Sequence, residues 1–282
     1  MQPEKPVGRM AVLGLGVMGG SLARAVSSLG VAERVVGWSP ESTERDAALT
    51  TGAVSLAAAS WREAVSDADL VVLAVPPRAA VELAAALGDQ MPAHATLTDV
   101  TSLKQPLERA AADAGLAERF VGAHPMAGAE TSGFWASRGD LYEAATVWVV
   151  PGGAAESRIA SVERLWSAVG ARARRIEAGK HDSLMAVASH LPQLTSNALA
   201  HVIEGAGVSW TDLGPGGQDM TRLAASSAEM WTDLLRFASP ELISGLRALG
   251  SAAQAIADDL KSGEVDGIER LMRSTKAWKG RA

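Results

Sequence analysis

His124 is followed by Pro125 in the run G-A-H-P-M-A-G-A-E-T-S-G, Gly122 to Gly133. A residue ahead of proline is driven toward extended backbone. This histidine is therefore expected at a strand end, projecting into the crevice where open α/β sheets bind ligands. A neutral imidazole there can take a proton from a substrate hydroxyl while hydride leaves the same carbon. A lone strand-end histidine is more often structural than catalytic, so residue type and place alone leave both readings open.

A second run, G-L-G-V-M-G-G at Gly14 to Gly20, has the spacing that cradles a dinucleotide pyrophosphate. Gly14 permits a tight turn, Gly16 lets phosphates approach the backbone, and Gly19 lets a helix pack close to the strand. The first-turn amides at Val17 and Met18 then face the phosphates. The next strand ends V-V-G-W-S-P, which puts Ser39 where an acidic residue would hold the adenosine ribose. The cofactor is expected to be NAD, with NADP not excluded, and Ser39→Asp is expected to strengthen the NAD preference. Val75 and Pro76, with Pro77, end a later strand and stiffen the loop at the sheet's carboxyl edge; a simple strand stop is an equal reading. His190, Gln193, Asn197 and His201 fall on one stripe of an apolar helix, with His181 opposite His190. Such a stripe needs partners, either substrate or other helices. The histidines lack a clustered carboxylate or thiolate set, so no metal is expected.

The elements that must position these residues follow from the hydrophobic pattern. Short apolar runs at 9–13, 35–38, 69–75, 95–100 and 120–123 alternate with Ala-rich helical segments, which indicates a parallel sheet covered on both faces. A strand at 146–150, a helix around 157–169 and a strand near 172–177 follow. From Gly179 helical periodicity takes over, interrupted at Gly214-Pro215-Gly216-Gly217 and at Pro240. The expected fold class is α/β: a Rossmann-type domain at residues 1–178 and an all-helical domain at 179–282.

Composition narrows the function classes. Lys plus Arg number 26 against 32 Asp plus Glu, a net charge of −6, and no basic run is present, so nucleic acid is not an expected partner. There is no cysteine, which excludes thiol chemistry and fits a reducing cytoplasm. With no apolar run of about 18 residues, no membrane partner is expected either.

The Gly122–Gly133 run closely resembles the G-x-H-P-M-x-G-x-E-x-S-G signature of prephenate and arogenate dehydrogenases. Three further segments resemble that family in order: D-V-T-S-L-K at Asp99–Lys104, H-D-S-L-M-A-V-A-S-H-L-P at His181–Pro192, and Q-D-M-T-R-L-A at Gln218–Ala224 with Trp231 nine residues after Arg222. The resemblance covers residues 9 to 235. It implies a homodimer that oxidatively decarboxylates a small cyclohexadienol, prephenate to 4-hydroxyphenylpyruvate in tyrosine biosynthesis. His124 then matches the catalytic histidine on the ring hydroxyl and Ser102 the serine that orients this pair. Arg222 matches the arginine on the substrate carboxylate, Lys104 a nearby electrostatic helper, and Glu130 and His190 pocket-lining polar groups.

Arg222 can alternatively pair with Asp219 at i, i+3; Asp219 is an N-cap candidate, which sets Arg222 in the first turn of its helix. Gln193 stands where many relatives carry histidine, in or near the substrate pocket, so arogenate and 4-amino-4-deoxyprephenate stay open as substrates. A β-hydroxyacid dehydrogenase and a non-catalytic nicotinamide-binding sensor are the remoter alternatives.

Overall fold

The computed structural model describes residues 7–128 and 131–281. By backbone contacts the chain forms two units, one of Met1–Leu184 with Ser226–Phe237, the other of Met185–Ala225 with Ala238–Ala282. The chain first passes from one unit to the other between Leu184 and Met185, at the end of the helix Ala178–Met185. A further twelve residues, 226–237, return to the first unit.

The first unit is built on an eight-stranded sheet. Its elements in chain order are β1 (Val7–Leu13), α1 (Val17–Leu29), β2 (Ala32–Trp38), α2 (Ser42–Thr50), β3 (Leu56–Ala57), α3 (Trp61–Val65), β4 (Leu70–Leu73) and α4 (Pro77–Leu87). β5 (Thr96–Asp99), α5 (Gln105–Asp113), β6 (Phe120–Pro125), β7 (Thr146–Val150), α6 (Glu156–Ala168), β8 (Arg172–Arg175) and α7 (Ala178–Met185) follow. Strand order is β3-β2-β1-β4-β5-β6-β7-β8. Successive β1 side chains go to opposite faces, Met10 and Val12 into one apolar core and Ala11 and Leu13 into the other. This two-sided burial is why the strands read as continuous apolar runs.

The order reverses between β1 and β4, both of which run parallel to their neighbours. A crevice therefore opens at their carboxyl ends, where the chain leaves for helices on opposite faces. β7 departs from the parallel expectation and pairs antiparallel with β6, setting His124 opposite Trp148. Between these strands the described chain has only a 3-10 turn, Phe134–Ala136, and not the crossover helix by which a parallel return is usually made. Edge strand β8 reads R-A-R-R, and Arg175 is clamped by Glu156 and Glu163 of α6; charge on an edge discourages pairing with another chain.

The second unit is helical. α8 (Leu191–Gly205), α9 (Pro215–Thr221), α11 (Pro240–Ser262) and α12 (Asp266–Lys279) belong to it, while α10 (Ala228–Leu235) lies in the first unit against α4. A π-helical turn, Ala186–His190, precedes α8. Pro192 has no N–H to give the carbonyl four residues back, which loosens the preceding turn. No described helix is long and apolar enough to cross a membrane.

Candidate active site

At the crevice, Gly14 follows β1 with φ +103°, and a Cβ there would lie 2.3 Å from the Ala74 carbonyl oxygen. Only glycine fits a position that combines positive φ with such an approach. A Cβ on Gly19 would meet the Gly14 carbonyl oxygen at 1.9 Å, so α1 packs directly on the turn. Gly16 differs: the nearest atom to its Cβ position is Glu44 Oε1 at 3.7 Å. Gly16 is also the N-cap of α1 and carries no side-chain cap, with Val17 and Met18 the first two helical residues. Space above Gly16 and an uncapped helix N-terminus form a cradle that fits a pyrophosphate. Val75 borders it, with a methyl 2.9 Å from the Gly14 Cβ position, and Pro76 is the N-cap of α4.

Ser39 directly follows β2 but is 1% exposed, and its Oγ donates to Glu44 Oε2 at 2.6 Å. An acid at position 39 would set one carboxylate against another in a buried place. On this geometry Ser39→Asp is expected to disturb the pair and not to strengthen NAD preference.

The second cluster centres on His124, at the end of β6. Its Nδ1 lies 2.9 Å from His181 Nε2, and His181 Nδ1 lies 2.8 Å from Asp182 Oδ1. The imidazoles meet edge to face with centroids 5.1 Å apart. Asp182 also accepts from the Lys104 and Gln105 amides, each at 2.9 Å. Burial opposes its ionisation, but the hydrogen bonds from His181, Gln105 and Lys104 outweigh burial and hold its carboxyl below the usual value. The tautomers follow from this carboxylate. It accepts from His181 Nδ1–H, so neutral His181 presents a lone pair at Nε2. That lone pair accepts from His124 Nδ1–H, and the lone pair of neutral His124 is then at Nε2.

Lys104, expected near the substrate as an electrostatic helper, instead has a fully buried side chain. Its ammonium donates to Asp99 and, at 2.7 Å, to the carbonyl of Ala123 beside His124. Asp99 accepts from Thr101 N (2.9 Å), Thr101 Oγ1 (2.6 Å) and Ala123 N (2.8 Å). Burial lowers the Lys104 pKa, and the Asp99 and Asp182 carboxylates offset part of that. The pair locks the ends of β5 and β6 together. Removing one member strands a buried charge, so Lys104→Met is expected to destabilise the protein by about 3–5 kcal/mol. Urea denaturation would show this, and an unchanged midpoint would mean that the pair contributes nothing to stability.

Ser102 is half-buried on the loop between β5 and α5, and His124 Nδ1 faces His181. Glu130 lies outside the described residues. The sequence assigns no role to His181 or Asp182, although the His-Asp dipeptide at the start of a helix is a usable signal. It also assigns none to Glu44 and Asp99, whose neighbours are distant in sequence or hidden in a turn.

Arg222, Gln193 and His190 belong to the second unit. Arg222 is the C-cap of α9, whose N-cap is Gly214. The expected helix start at Asp219 is thus corrected, because Pro215 at the first helical position begins the helix earlier. The Arg222 side chain is 63% exposed, Asp219 is 4.0 Å away, and Arg222 helps line a cavity of about 930 Å³ within this unit. Gln193 is buried and its Nε2 donates to Asn197 Oδ1 (2.9 Å) and the Leu223 carbonyl (2.6 Å), tying α8 to the turn that holds Arg222. His190 is buried in the π-turn.

Two family models match the chain: "Prephenate dehydrogenase, nucleotide-binding domain" over residues 22–175 and "Prephenate dehydrogenase, dimerization domain" over residues 177–274. The first match begins within α1, so the glycine turn stands on its own geometry. Prephenate dehydrogenase of Bacillus subtilis is 31% identical over 234 residues, covering 79% of this chain and 62% of that protein. Cyclohexadienyl dehydrogenase of Zymomonas mobilis is 29% identical over 240 residues, 83% of this chain and 82% of that protein. Among solved structures, prephenate dehydrogenase from A. aeolicus in complex with hydroxyphenyl propionate and NAD+ superposes with a TM-score of 0.86 at 25% identity, covering 97% of this chain and 98% of that one. With both models accounting for nearly the whole chain and the sheet order and helical second unit in agreement, the chain belongs to the prephenate dehydrogenase family.

Proposed function

We propose that this protein catalyses the NAD-dependent oxidative decarboxylation of prephenate to 4-hydroxyphenylpyruvate, as a cytoplasmic homodimer. The observation that carries the reading is the Asp182–His181–His124 chain, which sets the tautomer of a strand-end histidine so that Nε2 acts as the base. The Gly14–Gly19 turn, with Val17, Met18, Val75 and Pro76, would hold NAD, which would supply the hydride acceptor. His124 takes the proton of the ring hydroxyl as its carbon is oxidised toward a carbonyl. The ring carboxylate leaves as carbon dioxide, its electron pair completes the aromatic ring, and aromatisation makes the step effectively irreversible. His181 and Asp182 are positioning residues, and Lys104 positions the end of β6; Ser102 and Glu130 remain substrate-side candidates.

We assign a substrate carboxylate to Arg222. Its guanidinium is exposed and only loosely paired, and its planar fork matches a carboxylate with two parallel hydrogen bonds. Arg222→Lys keeps the charge but loses the fork, and is expected to raise KM for prephenate by about tenfold or more. The Kd for NAD and the Tm should stay near wild type. A lower Tm with an unchanged KM would make Arg222 a structural residue. His190 and Gln193 support this side of the molecule, Gln193 through its bond to Leu223.

The homodimer rests on the matched dimerization domain and on apolar residues left exposed on the second unit, among them Trp210, Met272 and Trp278. The deciding experiment for the activity is one matrix of prephenate, arogenate and 4-amino-4-deoxyprephenate against NAD and NADP. Highest kcat/KM with prephenate supports the assignment. The broader name of the Zymomonas relative makes arogenate the alternative, and turnover of arogenate with prephenate refused would establish it.

A further inference from the structure

We infer that Glu44, in the first turn of α2, recognises the adenosine ribose diol and selects NAD over NADP, a proposal that rests on the dinucleotide reading of the glycine turn. Several observations converge on this carboxylate. The glycine turn is tied to the end of β2 by the Gly14 N–H to Trp38 carbonyl bond at 2.7 Å. The next residue, Ser39, is buried and spends its hydroxyl proton on Glu44 Oε2 at 2.6 Å. The same oxygen of Ser39 accepts from the Glu41 amide at 3.3 Å, so the serine is a fixed post. With Oε2 so held, Oε1 is the atom that comes within 3.7 Å of the Gly16 Cβ position, on the open side of the turn.

The strand end thus lacks an acid of its own, and the following helix supplies one at the same place. A carboxylate is an acceptor only, and a vicinal diol offers it two O–H donors. A 2′-phosphate brings negative charge against negative charge and is refused. Arg45, the cation beside Glu44 in sequence, donates Nη1 to the Ser39 carbonyl at 2.5 Å and to the Pro40 carbonyl at 3.1 Å. That arginine braces the loop which presents Ser39, and is not presented as a phosphate ligand.

The test is direct binding, without substrate or turnover: calorimetric titration of NAD and of NADP into the full-length wild type, Glu44→Gln and Ser39→Ala. Wild type is expected to bind NAD more tightly than NADP. Glu44→Gln should weaken NAD by about 10- to 100-fold, the scale of hydrogen bonds to a charged group, and should erase most of the discrimination against NADP. Ser39→Ala, which frees Glu44 to swing, should move both constants in the same direction by a smaller factor. It also serves as the second variant where Glu44→Gln fails to fold. Wild type binding NAD while both variants keep its Kd and the NAD/NADP ratio would overturn the assignment to Glu44 alone. So would a wild type that prefers NADP. A wild type that binds neither dinucleotide would overturn the reading of the glycine turn itself.

Discussion

Alanine at position 124 is expected to lower kcat by about 10²- to 10⁴-fold, the range over which a lost general base is felt. The substitution removes the imidazole whose Nε2 lone pair is not spent within the chain of hydrogen bonds, and leaves His181 Nε2 without its donor at a wholly buried side chain. An unpaired buried acceptor costs about 1–3 kcal/mol, so a modest fall in Tm should accompany the loss of rate. NAD affinity should stay, because the glycine turn makes no use of His124. The check is steady-state kinetics beside an NAD titration. A variant that kept wild-type kcat would remove His124 from the chemistry and with it the basis of the proposed mechanism.

Asp182→Asn should cost nearly as much, although Asp182 takes no proton from the substrate. Its Oδ1 accepts from both His181 Nδ1 and the Lys104 amide, and its Oδ2 from the Gln105 amide. An asparagine has one acceptor oxygen. If that oxygen faces His181, the amide NH₂ confronts the Gln105 N–H. If the NH₂ faces His181 instead, His181 must donate through Nε2, His124 must accept at Nδ1, and the proton moves to His124 Nε2, where the base should be. Either arrangement loses something, and the second disables catalysis, so kcat is expected to fall by about 10²- to 10⁴-fold.

Stability depends on the same carboxylate with a defined sign over pH. The Asp182 carboxyl is held below its ordinary value in the folded state. Its contribution is therefore present above an unfolded value of about 3.9 and is lost as pH falls through the folded one. Asp182→Asn should lack that acid-side component. An unchanged kcat together with an acid denaturation curve identical to wild type would show that Asp182 does not act through the histidines.

Much of this protein is determined locally, and that part was legible from residue order. Burial on both sheet faces makes strands such as 70–73 continuous apolar runs, and glycine is required where φ reaches +103° or a helix must touch the preceding turn. The proline after His124 sets it in extended backbone at the end of β6. These features depend on the period of the pattern and the stereochemistry of single residues, and the family motifs are strings of them.

What sequence order could not decide depends on pairs brought together from far apart. By resemblance Lys104 is an electrostatic helper near the substrate, but only the tertiary structure shows its ammonium enclosed between Asp99 and the Ala123 carbonyl. His181 lies 57 residues from His124 and reads as the far side of a helix; α7 carries it and its adjacent carboxylate to the end of β6. The strand end after β2 carries Ser39 in place of an acid, and the carboxylate we assign to that role stands in the first turn of α2, visible only because the serine hydroxyl holds it. Likewise the β6–β7 reversal and the return of residues 226–237 to the first unit rest on long-range packing. Local stereochemistry is written into each residue, whereas burial and charge partnership are properties of the folded neighbourhood, and it was those that assigned the roles of Lys104, His181, Asp182 and Glu44.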